Sequence, residues 1–148
     1  MLALTLFFCV WIAFLGLDAR RFGWSHVPPW AEAIGALCVV AAFWGWVGVL
    51  RANSFASVTV RVQQERGQTV ISTGPYAVVR HPMYAYALFL LIGMPLLLGS
   101  RWGLLGVPLA MPLLAARVLG EEDLLMQGLP GYREYAAKVR FRLLPGLW

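Results

Sequence analysis

Four long apolar stretches alternate along the chain with shorter segments in which charged and turn-forming residues collect. The first two stretches cover residues 1–17 and 30–50, and the last two cover residues 83–98 and 104–119. A transmembrane helix needs roughly 17–25 predominantly apolar residues, and each stretch lies in or near that range. The pattern therefore predicts an all-α integral membrane protein with about four transmembrane helices.

The last two apolar stretches are separated only by the short connection GSRWG at residues 99–103. So short a connection predicts an antiparallel helical hairpin over residues 83–119. Pro95, Pro108 and Pro112 fall inside the hairpin, where a proline removes a backbone donor and kinks a helix. Such kinks are tolerated where helices cover one another or line a cavity. The prolines alone do not separate a cavity-lining hairpin from ordinary membrane helices, which also carry more proline than soluble ones.

The second apolar stretch carries small residues at spacings that suit close helix packing. Gly35, Ala36, Gly45 and Gly48 are the residues concerned. Small side chains let two helix backbones approach closely inside a membrane. We expect this helix to pack tightly against a neighbour.

Composition agrees with the membrane class and excludes others. The chain of 148 residues is 60% hydrophobic and only 13% charged, whereas soluble domains are about a quarter charged. The net charge is +5, but the basic residues are scattered, which argues against a nucleic-acid partner. Cys9 and Cys38 lie in apolar runs without a CxxC motif, so we interpret them as packing residues rather than as a disulfide or metal site.

The distribution of basic residues predicts the orientation in the membrane. With the loop 51–82, the end of the hairpin at Arg117 and the segment 120–148 in the cytoplasm, nine of the twelve Lys and Arg residues lie inside. The positive-inside rule then places both termini in the cytoplasm. The pair Arg20–Arg21 argues mildly for the opposite orientation, although Asp18 offsets it. The predicted organisation is one domain over residues 1–148: two helices in 1–50, a loop in 51–82, the hairpin in 83–119 and a cytoplasmic tail in 120–148.

The polar segments are predicted to contain little regular structure. Residues 53–73 alternate β-branched and polar residues around a turn, which predicts an extended, hairpin-like loop. In residues 120–140, Gly128, Pro130 and Gly131 predict a break between two short helices. The terminal segment FRLLPGLW mixes arginines with apolar residues and is expected to anchor at the membrane interface.

Familiar cofactor motifs do not occur in the chain. It has no GxGxxG between a strand and a helix, no P-loop and no HExxH. A soluble nucleotide-binding fold is therefore excluded. Any cofactor must be held by the membrane helices and the polar segments beside them.

Three separated elements occur in an order that carries a resemblance to a known family. They are GPYAVVRHPMY at residues 74–84, RVLGEEDLL at residues 117–125 and GYREYAAKVRFRLLPGLW at residues 131–148. Together with the apolar hairpin, they resemble the isoprenylcysteine carboxyl methyltransferase family, within the wider group that includes membrane phospholipid methyltransferases. The resemblance covers roughly residues 69–148.

The resemblance implies S-adenosylmethionine as the cofactor and a lipophilic or lipidated methyl acceptor as the partner, in contact with membrane lipids and with no metal. Phe89 stands where some relatives carry a tyrosine, so that its hydroxyl is missing here. Glu122 directly follows Glu121 and leaves open which carboxylate dominates cofactor binding. The residues that the resemblance assigns to the cofactor are His81, Pro82, Met83, Tyr84, Phe89, Met94, Pro95, Leu96, Leu97 and Glu121.

Arg117 is the residue that we assign to catalysis by the same resemblance. A prenylcysteine carboxylate is already ionised at neutral pH, so catalysis needs positioning and exclusion of water rather than a general base. An arginine that holds the carboxylate supplies the positioning. The alternative interpretation is an ion pair between Arg117 and Glu121 at a helical spacing of four residues.

These features predict a membrane methyltransferase that moves a methyl group from S-adenosylmethionine to a prenylcysteine-like carboxylate. One alternative is a methyltransferase for phospholipid amines or hydrophobic thiols. Another is a lipid-binding membrane scaffold without activity. The motifs also have a purely structural interpretation. In it, the aromatic residues of the membrane interface are Tyr84, Tyr86, Tyr132 and Tyr135.

Overall fold

The computed structural model describes residues 2–56, 65 and 67–148, and every regular element within them is a helix. The α-helices are α1 (Leu2–Gly16), α2 (Pro29–Ala52), α3 (Pro82–Leu98), α4 (Gly106–Gly128) and α5 (Tyr132–Lys138). A π-helical segment (Leu17–Phe22) continues α1, and 3₁₀ turns cover Gly74–Ala77 and Trp102–Leu105. The prediction of an all-α protein is confirmed.

Three helical stretches in the described ranges are long and apolar enough to cross a membrane: Leu2–Phe22, Pro29–Ala52 and Trp102–Gly128. Helix α3 is shorter, with 17 residues, which is the lower limit for a span. About four transmembrane helices are therefore present, as predicted. Large apolar side chains on these helices face outward: 61% of Leu6, 69% of Leu37 and 79% of Trp44 is exposed. Apolar surface of this extent is suited to contact with lipid.

The chain forms two compact units, whose boundaries fall inside α2, α3 and α4. The first unit consists of Met1–Phe43 and Tyr86–Ala115, and the second of Trp44–Ala85 and Ala116–Trp148. In the first unit, Trp11, Leu15, Leu91 and Ala110 form a buried core. The Trp11 indole N–H donates to the carbonyl of Gly103 over 2.8 Å, which attaches α1 to the turn before α4.

Asp18 lies in the π-helical segment and is completely buried in the first unit. Its Oδ2 accepts hydrogen bonds from the hydroxyls of Ser25 and Ser100, each over 2.6 Å. Those hydroxyls in turn accept the backbone N–H groups of Arg101 and Gly103. N–H groups at the start of a helix lack intrahelical partners and carry partial positive charge. The carboxylate is thus stabilised through two hydroxyls, and the sequence interpretation of Asp18 as a counter-charge for Arg20 and Arg21 misses this buried role.

Helices α2 and α3 approach each other closely at Gly35 and Gly93. A Cβ atom on Gly35 would clash with the backbone N of Leu97 and would lie 2.8 Å from the carbonyl O of Gly93. A Cβ atom on Gly93 would lie 2.9 Å from the carbonyl O of Gly35 and 2.8 Å from the Cβ of Cys38. The predicted packing of small residues is therefore confirmed at Gly35. Cys38 packs here as expected, whereas Cys9 is exposed and the prediction that it packs is wrong.

We expect Gly35→Ala to lower the free energy of unfolding by about 1–3 kcal/mol, because an added methyl group in a filled interface forces the backbone to shift. The measurement is thermal unfolding of the purified protein in detergent. Gly16→Ala is the control, because a Cβ atom on Gly16 has nothing within 4 Å. Equal unfolding temperatures for the two variants would contradict the close approach of α2 and α3.

The three hairpin prolines have different environments. Pro95 lies inside α3 and is fully buried, and its carbonyl accepts the N–H of Ser100 over 2.8 Å. Pro112 lies inside α4. Pro108 is the third residue of α4 and lies within the helical stretch Trp102–Gly128. The kinks expected at the three prolines stay predictions.

The second unit has its own core, in which Leu129, Tyr132, Tyr135 and Ala136 are buried. Helix α4 continues without interruption to Gly128, so the predicted boundary at residue 119 is not the end of a helix and only α5 is a separate short helix. Once a helix has formed, adding a residue gains a hydrogen bond without a new nucleation step. Gly120 alone does not stop it. Gly131 begins the next segment with a φ of 82°.

The extended, hairpin-like loop that was predicted for residues 53–73 falls largely on residues 57–64 and 66, which lie outside the described residues. Among the described ones, residues 68–72 belong to no helix or strand.

Candidate functional site

A cavity in the second unit is lined by both polar and apolar residues of that unit. It is lined by parts of the segments 53–56, 68–71 and 76–84, together with side chains from α4 and α5. Its volume is about 90 Å³, which is less than the roughly 300–1,000 Å³ of pockets that enclose a whole small-molecule ligand. A larger ligand would therefore place one part in the cavity and extend beyond it.

Glu122 is the centre of a buried ionic network beside this cavity. Its Oε1 accepts the Arg80 Nε–H over 2.5 Å and lies 3.3 Å from His81 Nε2, and its Oε2 accepts the Arg142 Nε–H over 2.7 Å. The side chains of Arg80 and Glu122 are only 7% and 5% exposed. Buried charges of this kind need partners, because an unpaired one carries a large desolvation cost.

Arg80 also attaches the chain end after α5 to the start of α3. Its Nη1 donates to the carbonyls of Ala136, Val139 and Arg140, at and just beyond the end of α5, where a helix leaves carbonyls without partners. Its backbone N–H donates to the carbonyl of Phe141, over 2.9 Å. Arg80 is therefore an organising residue of the site. Sequence reasoning missed it, although an arginine beside the histidine at the end of a loop was a visible signal.

Tyr84 connects two of the predicted site residues. Its hydroxyl donates to Glu121 Oε2 over 2.7 Å and accepts the Arg117 Nε–H over 2.9 Å. The Arg117 guanidinium also lies 5.9 Å from the centre of the Tyr84 ring, within the range of a cation–π interaction. Arg117 and Glu121 are four residues apart on α4 and so share one face of that helix. Tyr84, on α3, thus connects Arg117, which is predicted to hold the methyl acceptor, to Glu121, which is predicted to hold the cofactor.

The adjacent acids Glu121 and Glu122 have different surroundings. Glu121 lines the cavity, whereas Glu122 is 4% exposed and is bound by Arg80 and Arg142. Successive residues on an α-helix point about 100° apart, so both cannot face the same space. The geometry favours Glu121 as the carboxylate available to a ligand.

The structure brings part of the predicted cofactor set together. His81, Pro82, Met83, Tyr84 and Glu121 line the cavity of the second unit. The other predicted residues belong to the first unit, where each has its own environment: Phe89 is exposed, Met94 packs against the core, Pro95 is buried, and Leu96 and Leu97 lie beside Gly35. Their cofactor roles remain predictions.

Several cavity residues were not identified from the sequence. Asn53 Nδ2 donates to the Tyr76 hydroxyl over 2.9 Å, and the Tyr135 hydroxyl donates to the Tyr76 carbonyl over 2.7 Å. Tyr132 and Tyr135 are buried, 4% and 6% exposed, so the alternative interpretation of these two as interfacial aromatic residues is wrong. Tyr132 and Tyr135 are three residues apart, which places them on one side of a helix. This spacing was the signal in the sequence.

Comparison with known families gives one match. The pattern of the family described as "Isoprenylcysteine carboxyl methyltransferase (ICMT) family" matches residues 33–127. The matched range includes His81, Tyr84, Arg117 and Glu121, and it begins in α2, earlier than the sequence resemblance. It ends before α5. Comparison with curated proteins gives no match.

Proposed function

We propose that this chain, which belongs to the isoprenylcysteine carboxyl methyltransferase family, transfers a methyl group from S-adenosylmethionine to the carboxylate of a prenylcysteine-like acceptor. Membership of the family makes it a membrane methyltransferase. The cofactor, the carboxylate acceptor and the assignment of residues to each are the proposal.

The observation that carries the proposal is the hydrogen-bonded set Arg117, Tyr84 and Glu121 at the edge of a cavity. It combines a cation, a hydroxyl and a carboxylate within a few ångströms. Arg117 is suited to an anionic acceptor, since a guanidinium binds a carboxylate with two parallel N–H donors. Glu121 is suited to an amine or hydroxyl group of a cofactor, because an ionised carboxylate only accepts hydrogen bonds.

The residues of the cavity suit one part of S-adenosylmethionine. Glu121 supplies an acceptor, and the apolar side chains of Leu124, Leu125 and Val70 supply surface for a base or a thioether chain. When bound, S-adenosylmethionine supplies a methyl group on a positively charged sulfur. Arg117 would hold the acceptor oxygen in line with that methyl group, and positioning of this kind lowers the barrier of a bimolecular reaction.

A carboxylate acceptor suits the protonation chemistry of the site. An amine or thiol acceptor must lose a proton, and the sequence offers Glu122 and His81 as the bases. Both oxygens of Glu122 accept hydrogen bonds from guanidinium groups, and His81 lies against the same carboxylate. Glu122 is therefore not arranged to take up a proton from an acceptor, whereas an ionised carboxylate needs no base.

The proposal places the cofactor site on the cytoplasmic side of the membrane. This follows from the count of basic residues, nine of twelve on that side, under the positive-inside rule. The lipophilic part of the acceptor would remain in the bilayer while its carboxylate reaches Arg117.

The test of the proposal is a calorimetric titration of the purified protein, in detergent, with S-adenosylmethionine. We expect binding by the wild type, and about tenfold or weaker binding by Glu121→Gln, because a lost hydrogen bond to a charged partner is worth about 1.5–3 kcal/mol. A radiolabelled methyl group should then appear in a lipid extract, where mass spectrometry identifies the acceptor.

Glu134→Gln is the matched control, because Glu134 is an exposed carboxylate on α5. Absence of binding by the wild type would favour the scaffold without activity, and equal binding by Glu121→Gln would overturn the assignment of Glu121 to the cofactor.

A further inference from the structure

Tyr132 and Tyr135 form a natural pair for comparison within the cavity. Both lie on the short helix α5, both line the cavity, and both are nearly completely buried. Burial raises the pKa of each phenol above its usual range. Each hydroxyl therefore keeps its proton at neutral pH and is a hydrogen-bond donor.

The two hydroxyls differ in their partners. The Tyr135 hydroxyl donates to the Tyr76 carbonyl over 2.7 Å. Within the part of the chain that the structure describes, the Tyr132 hydroxyl has no hydrogen-bond partner. A buried hydroxyl without a partner is costly, because it has given up its bond to water and gained none.

Neighbouring charges do not supply the missing partner. Arg80 and Glu122 lie close enough to influence the titration of Tyr132, but they are hydrogen-bonded to each other. Arg80 also donates to backbone carbonyls at the end of α5. The charged groups beside Tyr132 are thus engaged with each other and with the backbone, and the Tyr132 hydroxyl keeps a proton that it donates to none of them.

We infer that the Tyr132 hydroxyl is a binding group for S-adenosylmethionine and donates a hydrogen bond to a polar atom of the part that enters the cavity. The inference rests on the proposed function, since it takes that cofactor as the ligand. It explains why a residue that lines the cavity carries a buried hydroxyl without a partner among the described residues. It also extends the site to α5, beyond the range matched by the family and beyond the residues assigned from sequence.

The test compares Tyr132→Phe with Tyr135→Phe, each of which removes one hydroxyl and leaves the ring. Without ligand, Tyr132→Phe should unfold at the wild-type temperature or higher, because no hydrogen bond is lost. Tyr135→Phe should unfold about 2–4 °C lower, because its bond to Tyr76 is lost. With ligand, Tyr132→Phe should bind S-adenosylmethionine and S-adenosylhomocysteine about five- to tenfold more weakly than the wild type.

The outcomes separate this inference from the proposed function. If the wild type binds neither compound, the proposed function fails. If the wild type binds both and Tyr132→Phe binds them equally well, the proposed function stands and the role of Tyr132 is overturned. A fall in the unfolding temperature of ligand-free Tyr132→Phe would also overturn it, because that fall shows a hydroxyl already bonded in the free protein.

Discussion

Glu122→Gln is expected to lower the free energy of unfolding by about 3–5 kcal/mol, the usual cost of removing one member of a buried ion pair. The carboxylate accepts from Arg80 and Arg142 and lies against His81. A neutral amide leaves the buried Arg80 charge without its counter-charge and offers N–H groups where the arginines need acceptors. Since whole proteins are stable by only about 5–15 kcal/mol, the loss is a large part of the total.

Unfolding by heat or by denaturant in detergent measures the effect. Asp123→Asn is the matched control, because Asp123 is the next residue on the same helix and is exposed. A surface substitution of this kind usually changes stability by less than about 0.5 kcal/mol. If both variants unfold alike, Glu122 is not the centre of the network, and the division of roles between Glu121 and Glu122 is wrong.

Arg117→Ala is expected to lower kcat/KM for a lipophilic carboxylate acceptor by about 100- to 1,000-fold. Truncating one partner of a hydrogen-bonded charge pair costs about 2–5 kcal/mol, and each 1.4 kcal/mol is a factor of ten. Methyl transfer to an amine or a thiol on the same lipophilic chain should change little, because those acceptors present no carboxylate to the guanidinium. Initial rates with the three matched acceptors measure the difference.

Two further variants serve as controls for Arg117. Arg117→Lys keeps the charge but not the planar fork, so an intermediate loss on the acid is expected. Arg133→Ala removes an exposed arginine from α5 and should leave the rate unchanged. Full activity of Arg117→Ala on the acid would contradict the carboxylate-holding role. An equal loss on all acceptors would assign Arg117 instead to positioning Tyr84, to which it is hydrogen-bonded.

The transmembrane helices could be predicted because a long apolar segment in lipid favours one backbone conformation. An apolar segment in lipid must satisfy all its backbone groups internally, and a helix does so within one segment. The beginning of α2 at a Pro-Pro pair and the end of α3 near Gly99 follow from backbone rules of the same local kind. The continuation of α4 to Gly128 was missed, because a change from apolar to charged residues was interpreted as an end of the helix. Such a change ends an apolar surface, not a helix.

The members of the site could be named from the sequence more easily than their contacts. His81, Tyr84, Arg117 and Glu121 belong to ordered motifs, and the structure brings them into one unit. Their connection through the Tyr84 hydroxyl depends on how α3 and α4 pack. The partners of the Arg80 side chain lie 42 to 60 residues away along the chain, so no local pattern contains them.

The order of apolar and polar residues by itself determined that this protein is a helical membrane protein, because the cost of unbonded backbone in lipid acts on each segment separately. The tertiary structure alone decided which of two adjacent glutamates faces the cavity and which hydroxyls bind Asp18. It also decided which of the two tyrosines on α5 lacks a hydrogen-bond partner among the described residues. Those choices depend on contacts between distant segments, and neighbouring residues on a helix point about 100° apart.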